Sequence, residues 1–243
     1  MNELALFAGI GGGILGTQLL GHRCVCAVEN DPHAQSILLA RQNERYLPAF
    51  PVWDDIATFD GKPWRGIVDM VSGGFPCQAF SHAAHGHNTA VNLWPEMLRI
   101  IRDIGPRCVF AENVTEIAIA QAGLNLFAEG YTVAYGKICA SYMGADHDRG
   151  RWWLVAYSDL RGELLRPVNA ETFVLSDLQT SVWESYPDES RMVDGATDRL
   201  DRIKRTGNAQ VPAVARFAFQ WLTNQIKNHL TNDATDTRKS VAE

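Results

Sequence analysis

No stretch of the chain approaches the roughly 20 consecutive apolar residues that a membrane-crossing helix requires, so a membrane span is not expected. The start, Met1-Asn2-Glu3-Leu4, lacks the basic residues and small-residue cleavage site of a signal peptide, which gives the expectation of an intracellular protein. Cysteine is sparse. The five residues Cys24, Cys26, Cys77, Cys108 and Cys139 are odd in number and scattered, which speaks against a disulfide framework. Cys24 and Cys26 are too close for the usual zinc pair and would point to opposite faces of a strand. There is no excess of positive charge: the net charge of −6 excludes a protein that coats nucleic acid by bulk attraction, though not a local basic face. Internal repeats and low-complexity tracts are also lacking. What remains is ordinary globular composition, 46% hydrophobic and 21% charged over 243 residues, enough for one domain with its own core.

Short apolar runs alternate with helical periodicity. Strands are expected at 4–7, 24–28, 67–71, 107–111, 131–140 and 151–156. Helices are expected after the glycine cluster through Ile14, Leu15 and Leu19, at 32–41 behind Pro32, and at 93–104, 116–128 and 212–226. This alternation predicts an α/β, Rossmann-like doubly wound fold with a mostly parallel sheet. In such folds ligands bind beyond the carboxyl ends of the strands. That rule singles out 7–13, 29–31, 73–81 and 112–114. The pattern weakens over 158–205, which reads as a small irregular insert. Residues 206–230 recover helical spacing, and the polar stretch 231–243 reads as a mobile tail.

Gly11-x-Gly13-x-x-Gly16 fits a dinucleotide fingerprint, with Glu29 closing the second strand 18 residues after Gly11. NAD, FAD and S-adenosylmethionine sites all use such a turn and carboxylate, and a glycine turn can also serve only helix–sheet packing. Gly73-Gly74-Phe75-Pro76-Cys77-Gln78 follows another strand. Cys77 on this stiffened, exposed loop has the setting of a nucleophile. The other four cysteines read as small buried hydrophobes. Glu112-Asn113 ends the neighbouring strand and would bring a proton-carrying carboxyl near Cys77.

With Phe75-Pro76-Cys77-Gln78 and Glu112-Asn113-Val114 both present, the sequence resembles the DNA cytosine-5 methyltransferases. The resemblance covers about 4–156 and 202–219 in the family's motif order. Leu6-Phe7-Ala8-Gly9-Ile10-Gly11-Gly12 looks like the S-adenosylmethionine loop, Glu29-Asn30 like the ribose carboxylate and its adenine-packing neighbour, and Asp55-Ile56 like the adenine-contacting pair. Asp54 stands where glycine is usual. Arg149-Gly150-Arg151 resembles the arginine motif, with His147 replacing the usual glutamine. Gly207-Asn208-Ala209-Gln210-Val211-Pro212 resembles the late motif that completes the cofactor site.

The resemblance implies Cys77, Glu112, Arg149 and Arg151 as catalytic residues. It implies Phe7, Gly9, Ile10, Gly11, Gly12, Glu29, Asn30, Asp55, Ile56, Pro76, Leu93, Asn208 and Ala209 around S-adenosylmethionine, with S-adenosylhomocysteine as product. Gln78, Ser81, Asn113, Arg202 and Arg205 would contact double-stranded DNA. The implied chemistry is addition of Cys77 to carbon 6 of a flipped cytosine, protonation at nitrogen 3 by Glu112 and methylation at carbon 5. His82, His85 and His87 invite a metal, but no further ligand is evident and the reaction needs none. The family reading of this stretch is a loop that closes over DNA.

The expected organisation is a catalytic domain at 1–157, a target-recognition region at 158–205, and a returning motif and helix at 206–230. The recognition region is short for the family. That predicts a short site, or recognition shared with a second chain or a homodimer. Compact forms of this kind resemble phage or prophage enzymes, so the expected place is the cytoplasm of a bacterial or phage-infected cell. RNA cytosine methylation and a catalytically silent binding module are the competing readings.

Overall fold

The computed structural model describes residues 1–76, 92–145, 149–158, 160, 162, 165, 168–169 and 210–240. The chain runs β1 (Asn2–Leu6), α1 (Gly12–Gln18), β2 (Arg23–Val28), α2 (Pro32–Asn43), β3 (Val52–Trp53), β4 (Met70–Gly74), α3 (Trp94–Ile104), β5 (Cys108–Asn113), α4 (Glu116–Ala128), β6 (Thr132–Ile138), β7 (Arg151–Tyr157), β8 (Val168–Asn169) and α5 (Pro212–Ser240). The strands form one sheet in the order β3-β2-β1-β4-β5-β7-β6-β8. β1 pairs in parallel with β2 and β4, and β4 with β5. β7 lies antiparallel between β5 and β6. The chain therefore has the mostly parallel α/β architecture expected from its alternating pattern.

Alternation along each strand covers both faces of the sheet. Val109 and Ala111 of β5 pack with the apolar face of α3 (Met97, Ile100, Ile101, Ile104) and with Ile119 and Leu126 of α4. Cys108 and Phe110 point the other way, into a cluster with Val155 and with Val214, Ala218 and Leu222 of α5. A third cluster joins Ala5 and Ala27 to Ile14 of α1 and Leu38 of α2. A fully buried aliphatic side chain of this kind contributes about 1.5–3 kcal/mol. Among the described residues no helix is long and apolar enough to cross a membrane.

Differences from the sequence expectation have local causes. β1 ends before Phe7, because Phe7 adopts φ 52 and leaves the extended region. The third expected strand, at 67–71, is displaced to Met70–Gly74, and Ile67 is left half exposed. The two glycines read as a loop join the ladder. A Cβ on Gly73 would lie 2.7 Å from the Leu6 carbonyl, so only glycine fits between β1 and β4 there. β3 and β8 were not foreseen; two-residue edge strands are too short to show a period. α5 runs on to Ser240, past Thr231 where the sequence suggests a mobile tail, since neither proline nor glycine interrupts it.

Candidate active site

The site lies at the carboxyl ends of the parallel strands. After β1 the backbone turns through Phe7 (φ 52), Gly9 (φ 53) and Gly11 (φ 88), and Gly11 caps the start of α1. Phe7 is the notable member, since positive φ on a bulky residue is strained and such strain collects at ligand sites. Glu29, at the end of β2, anchors this turn: its carboxylate accepts the Gly9 N–H at 2.6 Å and the Asp31 N–H at 2.9 Å. Asp31 in turn caps α2 by accepting the His33 N–H at 3.0 Å.

A cavity of about 290 Å³ opens beside this turn. Phe7, Gly9, Ile10, Glu29, Asn30, Ile56, Pro76 and Leu93 line it, together with Val28, Asp31, Ala34 and Gly74. Gly11, Gly12 and Asp55 do not line it. A Cβ on Gly12 would lie 2.0 Å from the Gln210 carbonyl oxygen, so that glycine serves close packing against the returning segment. Asp55 accepts the Ala57 N–H at 2.9 Å and shapes the turn that carries Ile56. Asn208 and Ala209 lie outside the described residues.

Glu112 lies beside the cavity, across the β4–β5 ladder from Gly74, which lines it. It is 8% exposed and has its Oε1 3.1 Å from Arg151 Nε. Burial pushes its carboxyl above the usual range; Arg151, Arg149 and a hydrogen bond from Gln210 act against that rise. A buried carboxyl with raised proton affinity and two guanidinium neighbours can hold a proton and release it at a reacting atom. A smaller hollow of about 50 Å³, lined by Glu112, Gln210, Gly74 and Gly13, adjoins it.

Cys77, Gln78, Ser81, Arg202 and Arg205 lie outside the described residues, as do His82, His85, His87 and His147. The described ends of the segment containing Cys77 meet, with the Leu93 N–H donating to the Pro76 carbonyl at 3.1 Å. Asn113, expected to contact DNA, is 3% exposed. Its Nδ2 donates to the Phe75 carbonyl at 2.9 Å, so it ties β5 to the backbone that leads into Cys77. Cys24, Cys26, Cys108 and Cys139 are buried, outside any disulfide, and burial raises the Cys26 thiol to about 11.

Several contributors escaped the sequence reading. Arg99 of α3 donates to the Ile56 carbonyl at 2.8 Å and the Phe59 carbonyl at 3.0 Å, fixing the cavity wall. Arg41 of α2 donates to the Ile10 carbonyl, and Gln35 to the Glu29 carbonyl at 2.6 Å. Nothing in their local sequence marks them: Arg99 and Arg41 act on backbone carbonyls 31 or more residues away, and Gln35 on one six residues before it. Gln210 lay inside a recognised motif but was not singled out.

Type II methyltransferase M.Eco47II of Escherichia coli is 38% identical over 130 residues, which cover 51% of this chain and 29% of that protein. Type II methyltransferase M.HgiCII of Herpetosiphon aurantiacus is 32% identical over 248 aligned residues, covering 93% of this chain and 54% of that protein. Among solved structures, one described as a candidate DNA modification methyltransferase encoded within an E. coli prophage superposes with TM-score 0.52 and 26% identity, over 65% of this chain and 46% of that one. The matched part thus spans about half or less of these relatives. The family described as C-5 cytosine-specific DNA methylase matches residues 1–240, and the chain belongs to that family.

Proposed function

We propose that the chain transfers the methyl group of S-adenosylmethionine to carbon 5 of cytosine in double-stranded DNA, leaving S-adenosylhomocysteine. The observation that carries this reading is Glu112. It is a buried carboxyl of raised proton affinity, held by Arg151 beside the strand end that leads through Pro76 into Cys77, and it adjoins a cavity walled by Glu29.

The cavity suits the cofactor. Glu29 offers acceptor lone pairs for ribose hydroxyls, and Ile56 and Leu93 offer apolar contact for a purine. When bound, S-adenosylmethionine supplies an electrophilic methyl group on a sulfonium. The remaining work falls to side chains. The Cys77 thiolate adds to carbon 6 of a cytosine taken out of the duplex, an extrusion that costs a few kcal/mol. Glu112 gives its proton to nitrogen 3, so the electron pair pushed into the ring reaches carbon 5 without negative charge building up. Carbon 5 takes the methyl group, a base removes its proton, Cys77 leaves as the carbon 5–carbon 6 double bond re-forms, and nitrogen 3 returns its proton to Glu112. Arg151 holds Glu112 in place, and Arg149 adds positive charge near it.

Arg202 and Arg205, at the end of the 158–205 stretch, are proposed to track the phosphate backbone. Such contacts position the enzyme and carry little base information. The shortness of that stretch supports recognition shared with a second chain or a second copy. The bacterial relatives support the cytoplasm as the place of action.

The test is incubation with methyl-labelled S-adenosylmethionine and mixed-sequence duplex DNA, beside an RNA pool, followed by base-resolution sequencing. Label on DNA cytosine, absent with Cys77→Ala, is the expected result and gives the target sequence. Label only in RNA moves the substrate. No label, with cofactor binding intact, removes the catalytic reading in favour of a binding module.

A further inference from the structure

Gln210 reaches back from the start of α5 to the strand ends. Its position depends on three glycines from two different elements. A Cβ on Gly12 would lie 2.0 Å from the Gln210 carbonyl oxygen, and one on Gly13 2.2 Å from its Oε1. A Cβ on Gly74 would lie 2.6 Å from Glu112 Oε2 and 3.0 Å from Gln210 Nε2. Contacts this close are met only where no side chain exists. The seat therefore orients the amide, with Oε1 toward α1 and Nε2 toward β4, and Gln210 hydrogen-bonds the Glu112 side chain.

We propose that Gln210 is a positioning residue for methyl transfer: seated by Gly12, Gly13 and Gly74, its amide holds the Glu112 carboxyl in the orientation that presents its proton to the cytosine ring. The proposal deepens the methyltransferase reading and rests on it for the word transfer. The Gln210–Glu112 hydrogen bond itself does not depend on that reading.

The chemistry gives Gln210 a different part from Arg151. The guanidinium grips Oε1 at 3.1 Å and favours the charged carboxylate. An amide is neutral: from its fixed seat its N–H₂ donates to the carboxylate and, once the acid is protonated, to the remaining carbonyl oxygen. It can keep one carboxyl orientation through both halves of a proton transfer. Charged groups reaching Glu112 from its surroundings are Arg151 of β7 and Arg149 just before it, among the described residues.

The variant is Gln210→Met, of equal length and without a donor. The Glu112 carboxyl is followed directly, by ¹³C NMR of protein labelled at glutamate side-chain carboxyls, with its signal assigned through its loss in Glu112→Gln. Loss of one donor to the charged form raises the titration midpoint of Glu112. In the methylation assay the high-pH limb of kcat moves up with it, while KM for S-adenosylmethionine stays near the parent value. Gly13→Ala, which pushes the amide from its seat, moves the midpoint the same way, and melting curves report whether each variant is folded. An unmoved midpoint in folded Gln210→Met overturns the proposal, leaving Gln210 a packing residue. A moved midpoint without any transfer by the parent protein sinks the methyltransferase reading and, with it, the catalytic half of the proposal, while the Gln210–Glu112 coupling stands.

Discussion

Two buried carboxyls, Glu3 and Glu112, sit in this sheet with unlike company. Glu112 has guanidinium neighbours and faces the candidate site. Glu3 is wholly buried and is held by hydroxyls: Ser72 of β4 and Thr17 of α1 both donate to it. Burial raises it from 4.5 to about 7. The folded chain therefore holds a proton that the unfolded chain has already released. This contribution is complete below pH 4.5 and fades as pH rises to about 7. Across that window the protein loses roughly 3 kcal/mol of stability from this one group. Glu3→Gln, neutral at every pH, flattens the loss; urea unfolding at points from roughly pH 5 to 8 measures it, and equal slopes in parent and variant refute the assignment. For Glu112 the expected consequence is in rate. Glu112→Gln keeps the shape, removes the transferable proton and lowers kcat by about 10²–10⁴-fold, with cofactor affinity retained. A variant within tenfold of the parent would take the proton-transfer role away from Glu112.

At the scale of elements, the glycine turn after β1 answers both readings that its sequence allowed. Gly9 and Ile10 line the cavity, while Gly12, Gly13 and Gly16 make room for the segment that starts α5. Spacing alone could show that glycine was needed at each position. It could not show which ones face a ligand and which face a helix laid down some two hundred residues later. A Cβ on Gly16 would stand 2.8 Å from both the Ala215 Cβ and the Pro212 carbonyl oxygen. Gly16→Ala gains up to about 1 kcal/mol in helix propensity but overpacks this seam, an effect of about 1–3 kcal/mol. Net destabilisation in urea is expected, and a more stable variant would show that α5 can move away freely. The long elements were legible because α3 and α4 bury enough side chains to display a period. β3 and β8, with two residues each, display none. Of the site, the residues with chemistry of their own were legible: Glu29, Glu112 and Arg151 stand where the sequence pointed. Arg99 and Arg41 were not, since an arginine that holds a distant carbonyl looks like any surface cation until the fold is known. Asn113 has a structural part that the sequence did not show: it braces β5 against the Phe75 carbonyl.

For the molecule as a whole, the cavity joins parts of the chain that are otherwise loosely connected. Its walls come from the turn at Phe7–Ile10, the β2 end at Glu29–Asp31, Ile56 of the loop after β3, and Pro76 and Leu93 on either side of the segment holding Cys77. A ligand touching all of these binds only the folded chain, because unfolding scatters them. Its binding energy is then added to the stability of the whole protein. At a hundredfold excess over its dissociation constant, S-adenosylmethionine should stabilise the fold by about 2.7 kcal/mol. For a protein of this size that corresponds to a rise in melting temperature of about 5–10 °C. NAD at the same concentration should produce no rise, since the glycine turn by itself does not choose between them and the remaining walls do. Glu29→Ala should abolish the rise, because it removes the acceptor proposed for the ribose and also the carboxylate that holds the Gly9 and Asp31 N–H groups in the turn. A rise with NAD, or an undiminished rise with S-adenosylmethionine in Glu29→Ala, would show that the cavity beside Glu29 is not where the cofactor binds.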